Sequence, residues 1–402
     1  MNERVFIVDA KRTAIGKFLG SLYETDPVDI STQMITKGFD KKLIEDCEEL
    51  IIGNVISAGM GQGPARAIAL KAGMLQETTA YSINMVCGSG MQAIINAYKD
   101  ILLGKQIVMA GGVELMSNIP YATNTFIRLG KKFGNFEMTD LMVSDGLTDS
   151  FSHVHMGITA ENIAEKYSIS REEQDDYSYM SQQRAIKAVD DGVFKEEIVP
   201  LTLKDYKNRE YVFDTDEFPN RQSTREKMST LKPTFKKDGT LTAANTSGIN
   251  DGASFLILAS EEYCRKNGIK PLAEIIGHSA VGCDPQYMGL GPYYAIKKLV
   301  EENGIGFKDI DLFEINEAFA SQVLGCFRLM EQEYGVDEKY LTDHCNLSGS
   351  GLGLGHPLGM TGARITTTLV HKMNKDKGLK YGVASLCIGG GMGAALLLKR
   401  AD

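Results

Sequence analysis

Short apolar runs alternate with helical patterns along the chain, which is the mark of a mixed α/β protein. Strands are predicted at 5–8, 50–55, 107–110, 255–258, 273–278, 312–315 and 383–387. Over 88–103, Met91, Ile94, Ile95, Tyr98, Ile101 and Leu102 recur at helical spacing, and Gly104 ends the pattern. A second helix is predicted after Ser170, where Ser170-x-x-Glu173 forms a capping box. Residues 117–245 are richer in charge and poorer in strand signals, so they read as a long excursion from the α/β core with helices of its own.

The two ends of the chain resemble each other faintly. Each has a glycine-rich turn opening a helix, Cys87-Gly-Ser-Gly-Met in one and Gly355-His-Pro-Leu-Gly-Met in the other. Each then has a strand-like run reaching a second glycine-rich turn, Ala110-Gly-Gly-Val and Cys387-Ile-Gly-Gly-Gly. This pattern predicts two related α/β halves.

Composition narrows the function classes. With 402 residues, 43% hydrophobic and 24% charged, the chain is long enough for two to three domains and can bury a core without disulfides or metal. A net charge of −9 argues against a nucleic-acid or membrane-surface binder. No apolar run approaches the ~18 residues that a membrane span needs. The start of the chain lacks a signal-peptide layout, since the apolar run at 5–8 is too short. Seven cysteines stand far apart, with no C-x-x-C pair, which fits neither a disulfide framework nor a zinc knuckle. A reduced, cytoplasmic setting follows as the expectation.

Cys87 falls where a strand-like segment hands over to the 88–103 helix. A helix N-terminus presents free N–H groups and positive partial charge, both of which favour a thiolate. The layout is that of a nucleophile elbow with cysteine in place of serine; the plainer alternative is a buried cysteine at a helix start. His356, flanked by glycine and held by Pro357, is poorly suited to core packing and is a candidate base for Cys87. The alternative there, a phosphate cradle, lacks the Lys-Ser/Thr ending of a P-loop. Cys387 precedes Ile-Gly-Gly-Gly, whose backbone N–H groups suit an oxyanion hole. Asn316 follows a strand and can hold a water or polarise a carbonyl; a turn asparagine is the alternative. His153 and His155 lack a third ligand nearby, so metal is discounted.

Taken in order, Asn-x-x-Cys-Gly-Ser-Gly, His-Met-Gly-x-Thr-Ala-Glu-Asn, Asn-Glu-Ala-Phe-Ala, Gly-His-Pro-x-Gly and Cys-x-Gly-Gly-Gly closely resemble the thiolases. More narrowly they resemble the biosynthetic branch, the acetyl-CoA C-acetyltransferases. The resemblance runs over nearly the whole chain, from Val8-Asp-Ala-Lys-Arg-Thr to Gly389-Gly-Gly-Met-Gly. It implies two βαβαβαββ halves stacked in α-β-α-β-α layers. The N-terminal domain would span 1–265, with an inserted loop domain at about 119–246, and the C-terminal domain 266–402. It implies a ping-pong Claisen condensation of two acetyl-CoA to acetoacetyl-CoA and CoA, with no cofactor beyond these thioester substrates. By resemblance Cys87 takes the acyl group, His356 activates it, and Cys387 handles the α-proton. Asn316, through a water, and His356 would form one oxyanion hole; the backbone N–H groups of Cys87 and Gly389 would form the other. The family's CoA contacts map onto Leu147, His155, Met156, Phe235, Ser247, Met288, Ala318 and Phe319, and an adenine-side arginine maps onto Arg221. The resemblance also implies a homotetramer, a dimer of dimers.

The sequence departs from the family at Gly349-Ser-Gly-Leu-Gly-Leu, at Gly359-Met-Thr-Gly in place of Gly-Ala-Ser-Gly, and at Met392, where glutamine is common. None of these is expected to touch a catalytic position. The rival readings are a degradative 3-ketoacyl-CoA thiolase with longer substrates, a ketosynthase in which Cys387 would be surplus, and a non-catalytic acyl-CoA binder. The basic run Arg221, Arg225, Lys227, Lys232, Lys236 and Lys237, opposed only by Glu226, is expected to steer the CoA phosphates.

Overall fold

The computed structural model describes residues 3–401, so the predicted domain ends at Met1, Asn2 and Asp402 lie outside the described residues. In the first half the strands are β1 (Val5–Arg12), β2 (Glu49–Gly53), β3 (Thr79–Ile83), β4 (Ile107–Leu115) and β5 (Asn250–Ser260). In the second they are β6 (Ala273–Gly282), β7 (Leu312–Ile315), β8 (Tyr381–Ile388) and β9 (Met392–Arg400). They join in the order β7-β8-β9-β6-β1-β5-β4-β2-β3. The halves meet where β1 runs antiparallel to β6, with Phe6 opposite Glu274.

The helices that matter are α1 (Pro27–Gly38), α2 (Pro64–Lys71), α3 (Ser89–Leu102), α4 (Met156–Lys166), α5 (Arg171–Asp190), α6 (Gly291–Asn303), α7 (Ala320–Tyr334) and α8 (Leu358–Lys375). Alternation along the strands assigns them to layers. Leu50 and Ile52 of β2 and Ile257 of β5 face an outer layer with Met34 and Ile35 of α1 and Ile68 of α2. Ile51, Leu256 and Leu258 face the other way, onto Met91, Ile94 and Ile95 of α3. In the second half Leu386, Ile388 and Leu396 face that same central layer, where α8 adds Ile365 and Leu369. Phe313, Val383 and Leu397 face outward onto Leu299 of α6 and Val323 of α7. The result is α-β-α-β-α, with α3 and α8 shared between the two half-sheets. Strands covered on both faces read as continuous apolar runs, which is why the sequence marks most of them.

Two of these nine strands were not predicted, for different reasons. β3 lies at the edge of the sheet and is largely solvent-facing, so Thr-Ala-Tyr-Ser-Ile carries little apolar signal. β9 follows Cys387-Ile-Gly-Gly-Gly so closely that the turn hides the β8–β9 hairpin.

The excursion between β4 and β5 carries a small hairpin (Tyr121–Thr123 with Met138–Asp140), α4, α5 and a second hairpin (Leu201–Lys204 with Glu210–Phe213). α5 starts with the predicted capping box, in which Glu173 N–H donates to Ser170 Oγ at 3.2 Å and Ser170 N–H to the Glu173 carboxylate at 2.7 Å. The heads of α3 and α8 touch. A Cβ on Gly90 would lie 2.7 Å from the Gly359 carbonyl oxygen, and one on Gly362 would strike the backbone of Met91. Only glycine permits this approach. It brings the segment before α3, with Cys87, beside the segment before α8, with His356.

Candidate active site

Cys87 stands on a strained turn. Val86, just before it, has φ 47°, a left-handed conformation that a β-branched residue rarely adopts and that costs roughly 1–3 kcal/mol. Its neighbours over-determine it. Asn84 Oδ1 accepts from Val86 N–H at 2.9 Å; Ser89 Oγ donates to the Val86 carbonyl at 2.6 Å and accepts from Met85 N–H at 2.9 Å. The pattern Asn-x-x-Cys-x-Ser is therefore the wiring of the elbow. The expectation of a thiolate set up by the helix N-terminus is corrected. The thiol keeps some surface open to a deep cavity, yet protein encloses it, and burial pushes it up to about 11. The backbone N–H groups of Gly389 and of Cys87 itself pull in the other direction and do not prevail. At rest Cys87 is a thiol and needs a base.

His356 is held from its backbone and from its ring. Its N–H donates to Asn250 Oδ1 at 3.1 Å, and Nδ1 lies 2.6 Å from Thr361 Oγ1. The Thr361 hydroxyl donates to the Pro357 carbonyl at 2.7 Å, so it accepts from His356 Nδ1–H. That fixes the tautomer and leaves Nε2 an acceptor, with Asn316 Nδ2 as its donor at 3.3 Å. Burial, joined by the charge of Arg364, lowers the imidazole to about 3, so it is neutral at physiological pH. Thr361 belongs to Gly359-Met-Thr-Gly, so one departure does touch a candidate catalytic group, contrary to expectation. Its hydroxyl is what the contact needs, and threonine supplies it.

Cys387 is buried near the end of β8, and burial, then the nearby Cys87, raises its thiol well above 9. Cys87, His356, Cys387 and Gly389 line one cavity of about 270 Å³. The predicted contacts Leu147, His155, Met156, Phe235, Ser247, Met288, Ala318 and Phe319 line it too. His155 caps α4, its Nδ1 accepting from Gly157 N–H at 3.1 Å, and stacks on Phe235 at 4.7 Å between ring centroids. Phe319 meets Phe235 edge-on, so three rings form one wall. Asn316 meets His356 at Nε2 but does not itself line the cavity.

Arg221 is not brought to this cavity. It lines a neighbouring groove of about 700 Å³, which meets the cavity at Thr246, and its guanidinium is paired with Asp190. Arg225 pairs with Asp176 and Lys236 with Glu165, so the basic run is partly neutralised within the protein. Lys227 lines the groove with Arg221 and donates to the Gln222 carbonyl at 2.9 Å.

Several positioning residues escaped the sequence reading. Asn250 holds the His356 backbone. Buried Glu317 accepts from Ser350 N–H at 3.1 Å and Leu352 N–H at 3.2 Å, fixing the glycine-rich loop before His356. The acid beside Asn316 was the available signal, since a buried carboxylate requires partners.

The chain matches the family "Thiolase, N-terminal domain" over residues 5–262 and "Thiolase, C-terminal domain" over residues 269–400. It is 45% identical to an acetyl-CoA acetyltransferase of Chromobacterium violaceum, over 98% of this chain and 99% of the relative. The structure of the Bacillus anthracis acetyl-CoA acetyltransferase superposes with a TM-score of 0.92 at 43% identity, covering 100% of both chains. That of human mitochondrial 3-ketoacyl-CoA thiolase in complex with CoA gives 0.90 at 40% identity, covering 100% of this chain and 98% of that one. With both family domains matched and full-length relatives at 40% to 45% identity, the chain belongs to the thiolase family.

Proposed function

We propose that this protein is an acetyl-CoA C-acetyltransferase, condensing two acetyl-CoA reversibly to acetoacetyl-CoA and CoA through an acetylated Cys87. The observation that carries the reading is two thiols and a neutral imidazole on one cavity of about 270 Å³, its walls formed partly by Met156, Met288, Leu147 and Leu358. The names of the bacterial relatives support the acetyl substrate.

Proton bookkeeping orders the steps. Both thiols are protonated at rest, and His356 is not. His356 Nε2 takes the Cys87 proton as the sulfur attacks the thioester carbonyl. CoA leaves as a thiolate and takes the Cys387 proton, so Cys387 becomes a thiolate only once Cys87 is acetylated. Cys387 then removes the α-proton of the second acetyl-CoA. The carbanion attacks the acetyl carbonyl, Cys87 leaves as a thiolate, and the imidazolium returns its proton. The cycle closes with no net proton. Backbone N–H groups of Cys87 and Gly389 would stabilise one oxyanion, and Asn316 (through a water) with His356 the other. The CoA moiety would extend past the His155–Phe235–Phe319 wall toward the Arg221 groove.

Two-domain organisation, with halves at 1–265 and 266–402 and a loop domain at about 119–246, belongs to this reading. So does a homotetramer, which the exposed side chains of Phe126, Leu129 and Phe133 on the 121–140 hairpin support. Seven unpaired cysteines support a cytoplasmic setting. No helix among the described residues is long and apolar enough to cross a membrane.

The deciding experiment compares thiolysis of acetoacetyl-CoA with that of a longer 3-ketoacyl-CoA, in wild type and Cys387→Ala. Wild type should prefer acetoacetyl-CoA. Cys387→Ala should lose condensation and thiolysis by about 10²–10⁴-fold, yet still gain an acetyl mass on Cys87, the departing CoA thiolate then taking its proton from water. Preference for the longer substrate would favour a degradative thiolase. Near-normal condensation by Cys387→Ala would leave Cys387 a packing residue.

A further inference from the structure

Glu114, at the end of β4, takes no part in the proposed chemistry, yet its carboxylate is almost wholly buried. Every neighbour within hydrogen-bonding distance is a donor. Oε1 accepts from Asn54 Nδ2 at 3.1 Å and Ile56 N–H at 3.2 Å; Oε2 accepts from Val55 N–H at 2.8 Å and Gly359 N–H at 2.9 Å. These donors belong to opposite sides of the site. Asn54–Ile56 follow β2, and the Val55 carbonyl accepts from Asn84 at 3.0 Å, the residue that also holds the strained turn before Cys87. Gly359 is in the first turn of α8, just after His356. The space is shaped for the carboxylate, since a Cβ on Gly359 would lie 2.6 Å from Glu114 Oε2 and 2.9 Å from Asn54 Cα.

We propose that Glu114 is a positioning residue that sets the separation of Cys87 and His356 by clamping the 54–56 segment to the head of α8. This rests on the acetyl-transfer reading and adds to it a tie between the two halves of the molecule. The clamp needs the ionised form, because a protonated oxygen would turn a hydrogen toward groups that only donate. Burial, with a smaller contribution from Asp251 on β5, raises this carboxyl to about 7, against the pull of the N–H groups of Val55, Ile56 and Gly359. The other titratable groups at the clamp are Cys87 at the head of α3 and neutral His356 at the head of α8. As pH rises through about 7 the clamp engages; as pH falls it loosens.

The test measures the rate of Cys87 acetylation per acetylatable site by intact mass, and the Kd for CoA, in wild type, Glu114→Gln and Glu114→Asp. Glutamine keeps the volume but turns an NH₂ toward half of the donors. The Glu114→Gln rate should fall by about tenfold or more, the scale of a small misalignment of reacting groups. Its Kd for CoA should stay within about twofold, since no CoA contact is touched. Aspartate should restore part of the rate. The wild-type rate should rise with a midpoint near pH 7, and that rise should be missing in Glu114→Gln. A smaller fall per site, or an unchanged pH profile in Glu114→Gln, overturns the proposal. If neither variant folds, the wild-type profile decides, and the absence of an ionisation near 7 overturns it. If wild type is not acetylated at all, the acetyl-transfer reading has failed. Iodoacetamide alkylation of Cys87, which requires no CoA, then tests the clamp by the same comparison.

Discussion

A hydroxyl decides how the imidazole of His356 is used. Thr361 Oγ1 spends its proton on the Pro357 carbonyl and so can only accept from His356 Nδ1. Thr361→Val should loosen the ring and release the tautomer, lowering the Cys87 acetylation rate by about tenfold, the equivalent of a hydrogen bond worth ~1 kcal/mol or slightly more. Thr361→Ser should retain most of the rate; rapid-quench mass spectrometry distinguishes the two. A Thr361→Val enzyme at full rate would show that Asn250 and packing suffice to orient the ring. At this scale the sequence was legible where a residue type announces chemistry, as with Cys87, His356 and Cys387. It was less so where residues act by accepting one hydrogen bond in a crowded place. Asn84, Ser89, Asn250 and Thr361 are ordinary polar residues until the backbone brings their partners to them. The direction of the Cys87 shift was misread for a related reason: the helix N-terminus is visible in sequence, whereas the enclosure that outweighs it is tertiary.

Among the elements, the contact between the heads of α3 and α8 sets the site, and the excursion carries two of the three rings of the aromatic wall, His155 and Phe235. Most strands were legible because both faces of each half-sheet are covered. The edge strand β3 was not, because it packs on little. The layering itself was implied by the resemblance and the faint duplication rather than by periodicity, since no local pattern reveals that two helices from distant segments share one core. The basic run was legible as charge but not as free charge, since Arg221, Arg225 and Lys236 have carboxylate partners. Lys227 has none among the described residues and lines the groove. Lys227→Gln should therefore raise KM for CoA and flatten its salt dependence, while Lys232→Gln, which does not line the groove, should do neither. Equal effects of the two would assign the run to long-range steering. No effect from either would make it a solvated face.

For the whole molecule, a neutral imidazole in the interior has a thermodynamic cost in acid. His356 is lowered from 6.5 to about 3, so the folded state refuses a proton that the unfolded chain accepts. The stability this contributes is fully present above pH 6.5 and declines as pH falls below it, by at most about 1.4 kcal/mol per pH unit. His356→Asn, which cannot titrate, should show a shallower loss of urea resistance than wild type between pH 6 and 4. An identical slope in the two would mean that other groups govern acid unfolding. The proposed Glu114 clamp binds the same two halves at the same place, so acid should weaken positioning before it weakens the fold.

The sharing of α3 and α8 also has a consequence for synthesis. The ribosome delivers Cys87 early, on a half whose central helix still lacks its partner, and delivers the second cysteine only with the penultimate strand. Until α8 settles against α3, Cys87 stands without His356, the base that its acylation requires. Acyl transfer is thus a property of the finished molecule and not of its first half.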